Sequence, residues 1–398
     1  MKFRYFLDAL NHFRLNVEIS KPTFIKILVI IFGMVIQTQS ATAQINSDNL
    51  CAIVKKSRTK FGLPAVAVTV MNSEAVLNTE IQGVNNFTDK IAVSTDSYFH
   101  IGSCSKSVLA VIAAKLIEDN KISWHTRFFD LFPELKAKAY DDNYFITLED
   151  LFVCKAGIKG FTTPDDKFPE LNQNNPTLRY EFADWLVQQK PLSPKKEGKF
   201  EFNYSNAGYT MASLMLEKVS GRSYEELIQS YIAEELGIET YIGFPNRKDP
   251  EQPWGHILSK KGIEVFSPEH EYHIPTEITP AGDLSMKPEG FAKYIQWSLQ
   301  GLCGGNNFIS SESYKYIHNA HQGFSIGVFN SKMFGYNLSG MDGSAGTFFC
   351  RAIIVSESDF AFTIMTNAGS GTAEMKAVDW ITMKIVKKQY NWWWKFWI

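Results

Sequence analysis

Apolar positions change their spacing twice along the chain, and the changes predict the order of elements. Leu50, Ile53, Val54 and Phe61 lie on one helical face of Ser47–Phe61, and Gly62-Leu63-Pro64 breaks that helix. Ala65–Met71 is a continuous apolar run rich in Val, which reads as a buried strand. Asn72-Ser73 turns it into a second strand near 75–81, forming a hairpin. Between 121 and about 275 the pattern becomes short helices and long loops. A helix begins at Thr147, with Asp150 three residues on, and a second amphipathic stretch covers 180–190. A third helix covers 211–219 and is ended by Gly221, and a fourth is capped by Ser223 with Glu226 three residues on. After Pro280 a helix runs through Phe291, Tyr294, Ile295 and Leu299. The last hundred residues turn β-rich, with strands expected at 323–330, 333–338, 347–356 and Phe360–Thr366, and a final helix over 372–388. β-rich ends therefore enclose a helical middle. The expected class is α+β, an α/β sandwich whose antiparallel sheet is flanked by N- and C-terminal helices and carries a mostly helical insertion. The α/β part would comprise about 44–120 and 276–390, and the helical part about 121–275, with a ligand cleft between them.

The 398 residues are 45% hydrophobic, enough for a large core, and 40 basic residues nearly balance 42 acidic ones, so no basic face for nucleic acid is implied. The first 26 residues are uneven, with Lys2, Arg4, Arg14, Lys21 and Lys26 against Asp8 and Glu18. An apolar run over 27–36 and Ala41-Thr42-Ala43 follow. Together these read as a secretory signal over 1–43, cut after Ala43, and hence as a periplasmic or secreted protein; an uncleaved anchor is the alternative. Its removal takes the formal charge from −2 to −5. The five cysteines, Cys51, Cys104, Cys154, Cys303 and Cys350, are too few and too scattered for a disulfide framework. His270 with His273, and His318 with His321, have His-x-x-His spacing but read as loop or surface residues, so no metal or other cofactor is expected. The tail over 391–398, with Trp392, Trp393, Trp394, Phe396 and Trp397 beside lysines, suits either a membrane interface or a packing contact.

The chemistry concentrates in Phe99-His100-Ile101-Gly102-Ser103-Cys104-Ser105-Lys106, directly before the apolar helical run Val108 to Ala114. Ser-x-x-Lys at the head of a helix puts the lysine one turn on and on the serine's face, where a neutral amine can take the hydroxyl proton. Taken alone, the same residues describe an N-cap and a solvated lysine. Cys104 reads as a small buried filler, since no base is placed for it. About 100 residues on, Tyr204-Ser205-Asn206 offers a phenol and an amide pointing the same way from an extended loop. A phenol beside an ammonium is expected to have a lowered pKa. Lys155-Ala156-Gly157 is a false match to a Lys-Thr-Gly strand, because a loop follows it.

With both motifs present in order, the chain resembles the class C β-lactamase and penicillin-binding-protein-like serine hydrolases. Leu63 to Val68, Thr147 to Phe152 followed by Ala156-Gly157-Ile158, Leu216 to Tyr224, Pro280-Ala281-Gly282-Asp283-Leu284 and Phe360 to Asn367 are similar to that family as well, so the likeness covers about 48–388. The resemblance implies Ser103 as nucleophile, Lys106 as acylation base and Tyr204 as proton carrier to the leaving group. Asn206 would hold the substrate, and the backbone N–H groups of Ser103 and Ser344 would form the oxyanion hole. Met341, Asp342 and Gly343 would line the facing wall. There the family carries Lys or His at the position of Met341, and Met has neither charge nor donor. A substrate carboxylate would lose a charge-assisted bond, about 1.5–3 kcal/mol or 10- to 100-fold in binding. The expected function is an exported serine hydrolase of an ester, amide or peptide, on a small-molecule or peptide substrate. The alternative is a weak or inactive penicillin-binding-protein-like module that binds cell-wall peptides or a partner.

Overall fold

The computed structural model describes residues 45–163, 165–196, 199–333, 335–369 and 373–390. The expected signal segment and the tryptophan-rich tail lie outside the described residues. The chain divides into two compact units, 46–383 and a second made of 1–45 with 384–398. In the second unit only Ile45 and 384–390 are described, the latter mostly the last turns of a helix.

Helix α1 (Ser47–Phe61) starts on an Asn46 cap, whose side chain accepts from Asn49 N–H, and ends at Gly62 in the left-handed region (φ 69°). Strands β1 (Ala65–Met71) and β2 (Val76–Gly83) form the expected hairpin, and β1 is buried at every position. After β3 (Phe99–His100) comes a tight turn over Gly102–Cys104 and then helix α2 (Ser105–Glu118), buried at eleven of its fourteen residues. The middle carries α3 (Leu148–Phe152), α4 (Leu178–Val187) and α5 (Asn206–Ser220). Thr147 and Ser223 each make the capping box read from sequence, with Asp150 and Glu226 respectively. The middle is not purely helical: it also holds β4 (Thr240–Ile242) and the hairpin of β5 (Gly255–Ser259) with β6 (Gly262–Phe266). Short strands such as these give too few alternations to register in a sequence pattern.

Beyond β7 (Leu284–Met286) come α6 (Pro288–Leu302), α7 (Ser311–Asn319), β8 (Phe329–Met333), β9 (Tyr336–Ser344), β10 (Phe349–Val355), β11 (Phe360–Thr366) and α8 (Ala373–Gln389). The expected strands over 323–330 and 333–338 are displaced. Residues 323–328 form a loop, because Gly327 (φ 74°) presses on the Lys106 backbone, where a Cβ would lie 2.8 Å from the carbonyl oxygen. The six-stranded sheet is antiparallel throughout, in the order β2-β1-β11-β10-β9-β8, so both ends of the chain build it. Its two faces differ. Met341, Gly343, Cys350 and Ala352 share the face turned to α2, while Asp342 and Arg351, paired across β9 and β10, face α8.

Candidate active site

Ser103 is presented by a turn squeezed between two strands. β3 pairs with β7, and Ile101 N–H donates to Leu284 O at 2.8 Å, which fixes the chain entering the turn. Gly102 then adopts φ 51°, and a Cβ there would sit 2.6 Å from the Ser344 nitrogen. Opposite it, a Cβ on Gly343 would lie 1.9 Å from the Ile101 carbonyl oxygen. Two glycines thus let the end of β9 press against the Ser103 turn, a close approach that no other residue type permits. Ser344 is exposed and Ser103 half-buried, so both lie at an open wall.

His100 holds this turn from behind. Gly102 N–H donates to His100 Nδ1 at 3.0 Å, so that nitrogen accepts and the proton sits on Nε2, which lies 2.9 Å from Asp283 Oδ1. The ring also lies 4.7 Å from that of Phe244. The signal for this pair was the match at Pro280 to Leu284, which contains Asp283, but only pairing of β3 with β7 brings the two together.

Lys106 is 1% exposed, and its Nζ reaches three oxygens: Ala281 O at 2.7 Å, Asn206 Oδ1 at 2.7 Å and Ser103 Oγ at 3.1 Å. Asn206 Nδ2 donates to Phe161 O at 2.7 Å, which fixes the amide orientation and leaves Oδ1 toward the lysine. Two of the three oxygens can therefore only accept. A neutral amine spends its two protons on them, and its lone pair is left facing the Ser103 hydroxyl. Burial penalises the charged form and brings Lys106 down to about 7, so the neutral amine is well populated near neutral pH.

Asn206 opens α5 behind a Ser205 cap, and its amide oxygen accepts from the lysine. Tyr204 lies with its ring 4.8 Å below the Lys106 ammonium position, and its hydroxyl is within hydrogen-bonding reach of the Ser103 side chain. The residue is half-buried, and burial pushes the phenol well above its ordinary value. This corrects the expectation of a lowered phenol: burial penalises the phenolate, and a lysine held near 7 carries no charge where a phenol titrates.

On the facing wall, Met341 is 2% exposed and shares a face with Gly343, toward the Ser103 turn. Asp342, expected to line the cleft, is turned away from it. Alternation along β9 sends its carboxylate to the other face of the sheet, where Arg351 binds it twice, at 2.7 and 2.6 Å, and also pairs with Asp379 of α8. The structure thus brings together Ser103, Lys106, Tyr204, Asn206, Gly343 and Ser344, sets Met341 behind them and excludes Asp342. Cys154 and Cys350 are buried thiols, with burial pushing Cys154 up to about 11 and Cys350 well above its ordinary value, so neither is a thiolate. Of the second histidine pair, His321 Nε2 contacts Glu149 at 2.5 Å, while His318 is not the loop or surface residue expected: it is buried on α7 and contacts Ser339.

Known proteins share this architecture. A penicillin-binding protein homologue from Pyrococcus abyssi superimposes with a TM-score of 0.67 at 21% identity, covering 86% of this chain and 79% of that one. A D-amino acid amidase from Ochrobactrum anthropi SV3 superimposes with a TM-score of 0.69 at 17% identity, covering 87% and 99%. An unguisins hydrolase of Aspergillus violaceofuscus is 22% identical over 243 residues, 58% of this chain and 41% of that protein. The chain spans about half the length of the curated relatives it matches. Residues 50–386, nearly all of the described chain, match the Beta-lactamase family model, and the chain belongs to that family.

Proposed function

We propose that this chain is a serine hydrolase that works through an acyl-enzyme on Ser103. The observation that carries the reading is the lysine's arrangement: two oxygens that only accept take its protons, and its remaining direction faces the serine. Ser103 Oγ attacks the substrate carbonyl carbon while its proton moves to Lys106 Nζ. The carbonyl oxygen gains the negative charge between the N–H groups of Ser103 and Ser344. Lys106 then returns the proton through the Tyr204 hydroxyl to the leaving nitrogen or oxygen. That carbon–heteroatom bond breaks, and the acyl group stays on Ser103. A phenol held well above its ordinary pKa serves as a relay that takes one proton as it gives another, not as a standing phenolate. Water, losing its proton along the same path, then releases the acid and restores the serine.

Met341 argues against substrates that need a cation for their carboxylate, so esters, amides or peptides without one are favoured over classical β-lactams. A panel of esters, D-amino-acid amides and β-lactams tests this, and efficient benzylpenicillin hydrolysis would refute the exclusion. The same Met341 supports a second reading, a binding module without turnover. A Ser103 acyl adduct that never releases product would select that reading. The basic, apolar and Ala-x-Ala order of the first 43 residues supports export, checked by whether the mature N-terminus is Gln44. The tryptophan-rich tail supports a peripheral membrane contact, and a chain ending at Tyr390 that stays equally membrane-associated would rule it out.

A further inference from the structure

Three aromatic rings run outward from the nucleophile. The Tyr204 hydroxyl reaches Ser103, the Tyr204 ring meets Phe324 edge-on at 5.6 Å, and Phe324 lies 5.5 Å from Phe202, which is 50% exposed. Single exposed apolar residues are ordinary, and Phe145, 59% exposed with Arg127 and Lys195 at 5.0 and 5.8 Å from its ring, is one. Phe202 differs because it ends a continuous row that starts at the reacting atom.

Both outer rings are held in place. Phe324 belongs to the 323–328 loop, which Gly327 presses onto the Lys106 backbone and Asn330 clamps, its Nδ2 donating to His318 O and His321 O, each at 2.7 Å. Asn203, next to Phe202, donates its N–H to Cys154 O at 2.8 Å and its Nδ2 to Ile158 O at 3.3 Å. The row is therefore fixed relative to Ser103 and does not depend on a substrate to form it.

We propose that Tyr204, Phe324 and Phe202 form a wall for the substrate's leaving group, and that the enzyme selects leaving groups that are apolar, aromatic ones above all. The inference rests on the acyl-enzyme reading. Tyr204 hands its proton to the departing atom, so that atom lies at the Tyr204 hydroxyl, and whatever it carries extends along the rings beyond. The acyl portion stays on Ser103, bonded to Oγ, and need not touch this wall. A carboxylate-free, ring-bearing alcohol or amine matches such a surface through its face and edge contacts.

Benzyl and methyl esters of one acid test this, because their alcohols leave with similar ease. Wild-type kcat/KM should favour the benzyl ester, and Phe202→Ala and Phe324→Ala should each cut that preference about 10-fold, the low end for an apolar group in a pocket. Because the leaving group has gone by then, deacylation should be unchanged. So should the ranking of a second series, methyl esters of varied acids. Phe202→Ala alters an exposed side chain, so it remains informative if Phe324→Ala misfolds. A preference unchanged in Phe202→Ala, or a matching change in deacylation or in the acyl series, overturns the proposal. A wild-type enzyme that is acylated yet does not discriminate overturns the wall alone, whereas absence of any Ser103 adduct overturns the hydrolase reading beneath it.

Discussion

Replacing Asn206 with Asp puts a carboxylate where an amide oxygen now lies 2.7 Å from Lys106 Nζ. An opposite charge at that range raises a lysine by about 1–3 pKa units, so Lys106 moves from about 7 to between about 8 and 10. The base must be neutral to take the Ser103 proton. Its neutral fraction at pH 7 falls from about one half to between about one tenth and one thousandth, and acylation slows about 5- to 500-fold. The loss should vanish as pH rises through the new midpoint, because the amine is then neutral in both proteins. The substitution also orphans the Phe161 carbonyl that Asn206 now serves, which costs about 1–3 kcal/mol of stability and is read separately as Tm. The burst phase of an activated ester, followed by stopped flow from pH 5.5 to 10.5, gives the acylation rate constant free of deacylation. Wild type should rise with pH to a plateau above about 7, and the variant should rise later. An unmoved midpoint, or a variant slowed equally at every pH, would refute the lysine as base.

Burial of Lys106 also has a stability cost. Below pH 7 the lysine is charged in both states, and holding it buried costs about 5 kcal/mol relative to its ordinary value of 10.5. The unfolded chain binds more protons between pH 7 and 10.5, so this cost fades as pH rises through that window. Lys106→Met, which leaves Asn206 Oδ1 and Ala281 O unpaired, should still be more stable than wild type at pH 6. That advantage should shrink toward pH 10, and a denaturant series that finds a pH-independent difference contradicts it. His318 is held at about 4 by burial, below its ordinary 6.5, so the fold should lose about 3 kcal/mol as pH falls from 6.5 to 4, when only the unfolded chain takes the proton. His318→Asn should flatten that acid limb in Tm measured against pH. Asp342→Ala should leave acylation within twofold while lowering stability by about 1–2 kcal/mol, since its carboxylate serves Arg351 on the far face. Gly343→Ala should slow acylation at least 100-fold, the scale of losing an oxyanion donor, because a Cβ 1.9 Å from Ile101 O forces the two walls of the turn apart.

Much of the fold was legible because it is written locally. Ser47–Phe61 has a helical apolar period and a glycine stop, Thr147 and Ser223 carry their capping partners three residues on, and the β1–β2 hairpin follows from a Val-rich apolar run and turn chemistry. Ser103 and Lys106 share one helical turn, so their spacing marked them as candidates, and Tyr204-Ser205-Asn206 following in order raised them above a helix cap. What was missed depends on register. His100 meets Asp283 only through β3 and β7, and Arg351 meets Asp342 only through β9 and β10. The facing of Asp342 was nevertheless within reach: once Gly343 is placed against the Ser103 turn, alternation turns its neighbour away. The stretch Phe324, Ile326 and Val328 alternates like a strand, yet Gly327 makes it a loop by contact with a helix more than 200 residues earlier in sequence.

The central claim, that Ser103 is a nucleophile activated by Lys106, is tested most directly by a fluorophosphonate, which needs no knowledge of the substrate. Intact mass and peptide mapping should find one phosphonyl group on Ser103, none in Ser103→Ala, and labelling slowed at least 100-fold in Lys106→Ala. No adduct, an adduct on another residue, or equal labelling without the lysine would contradict the account.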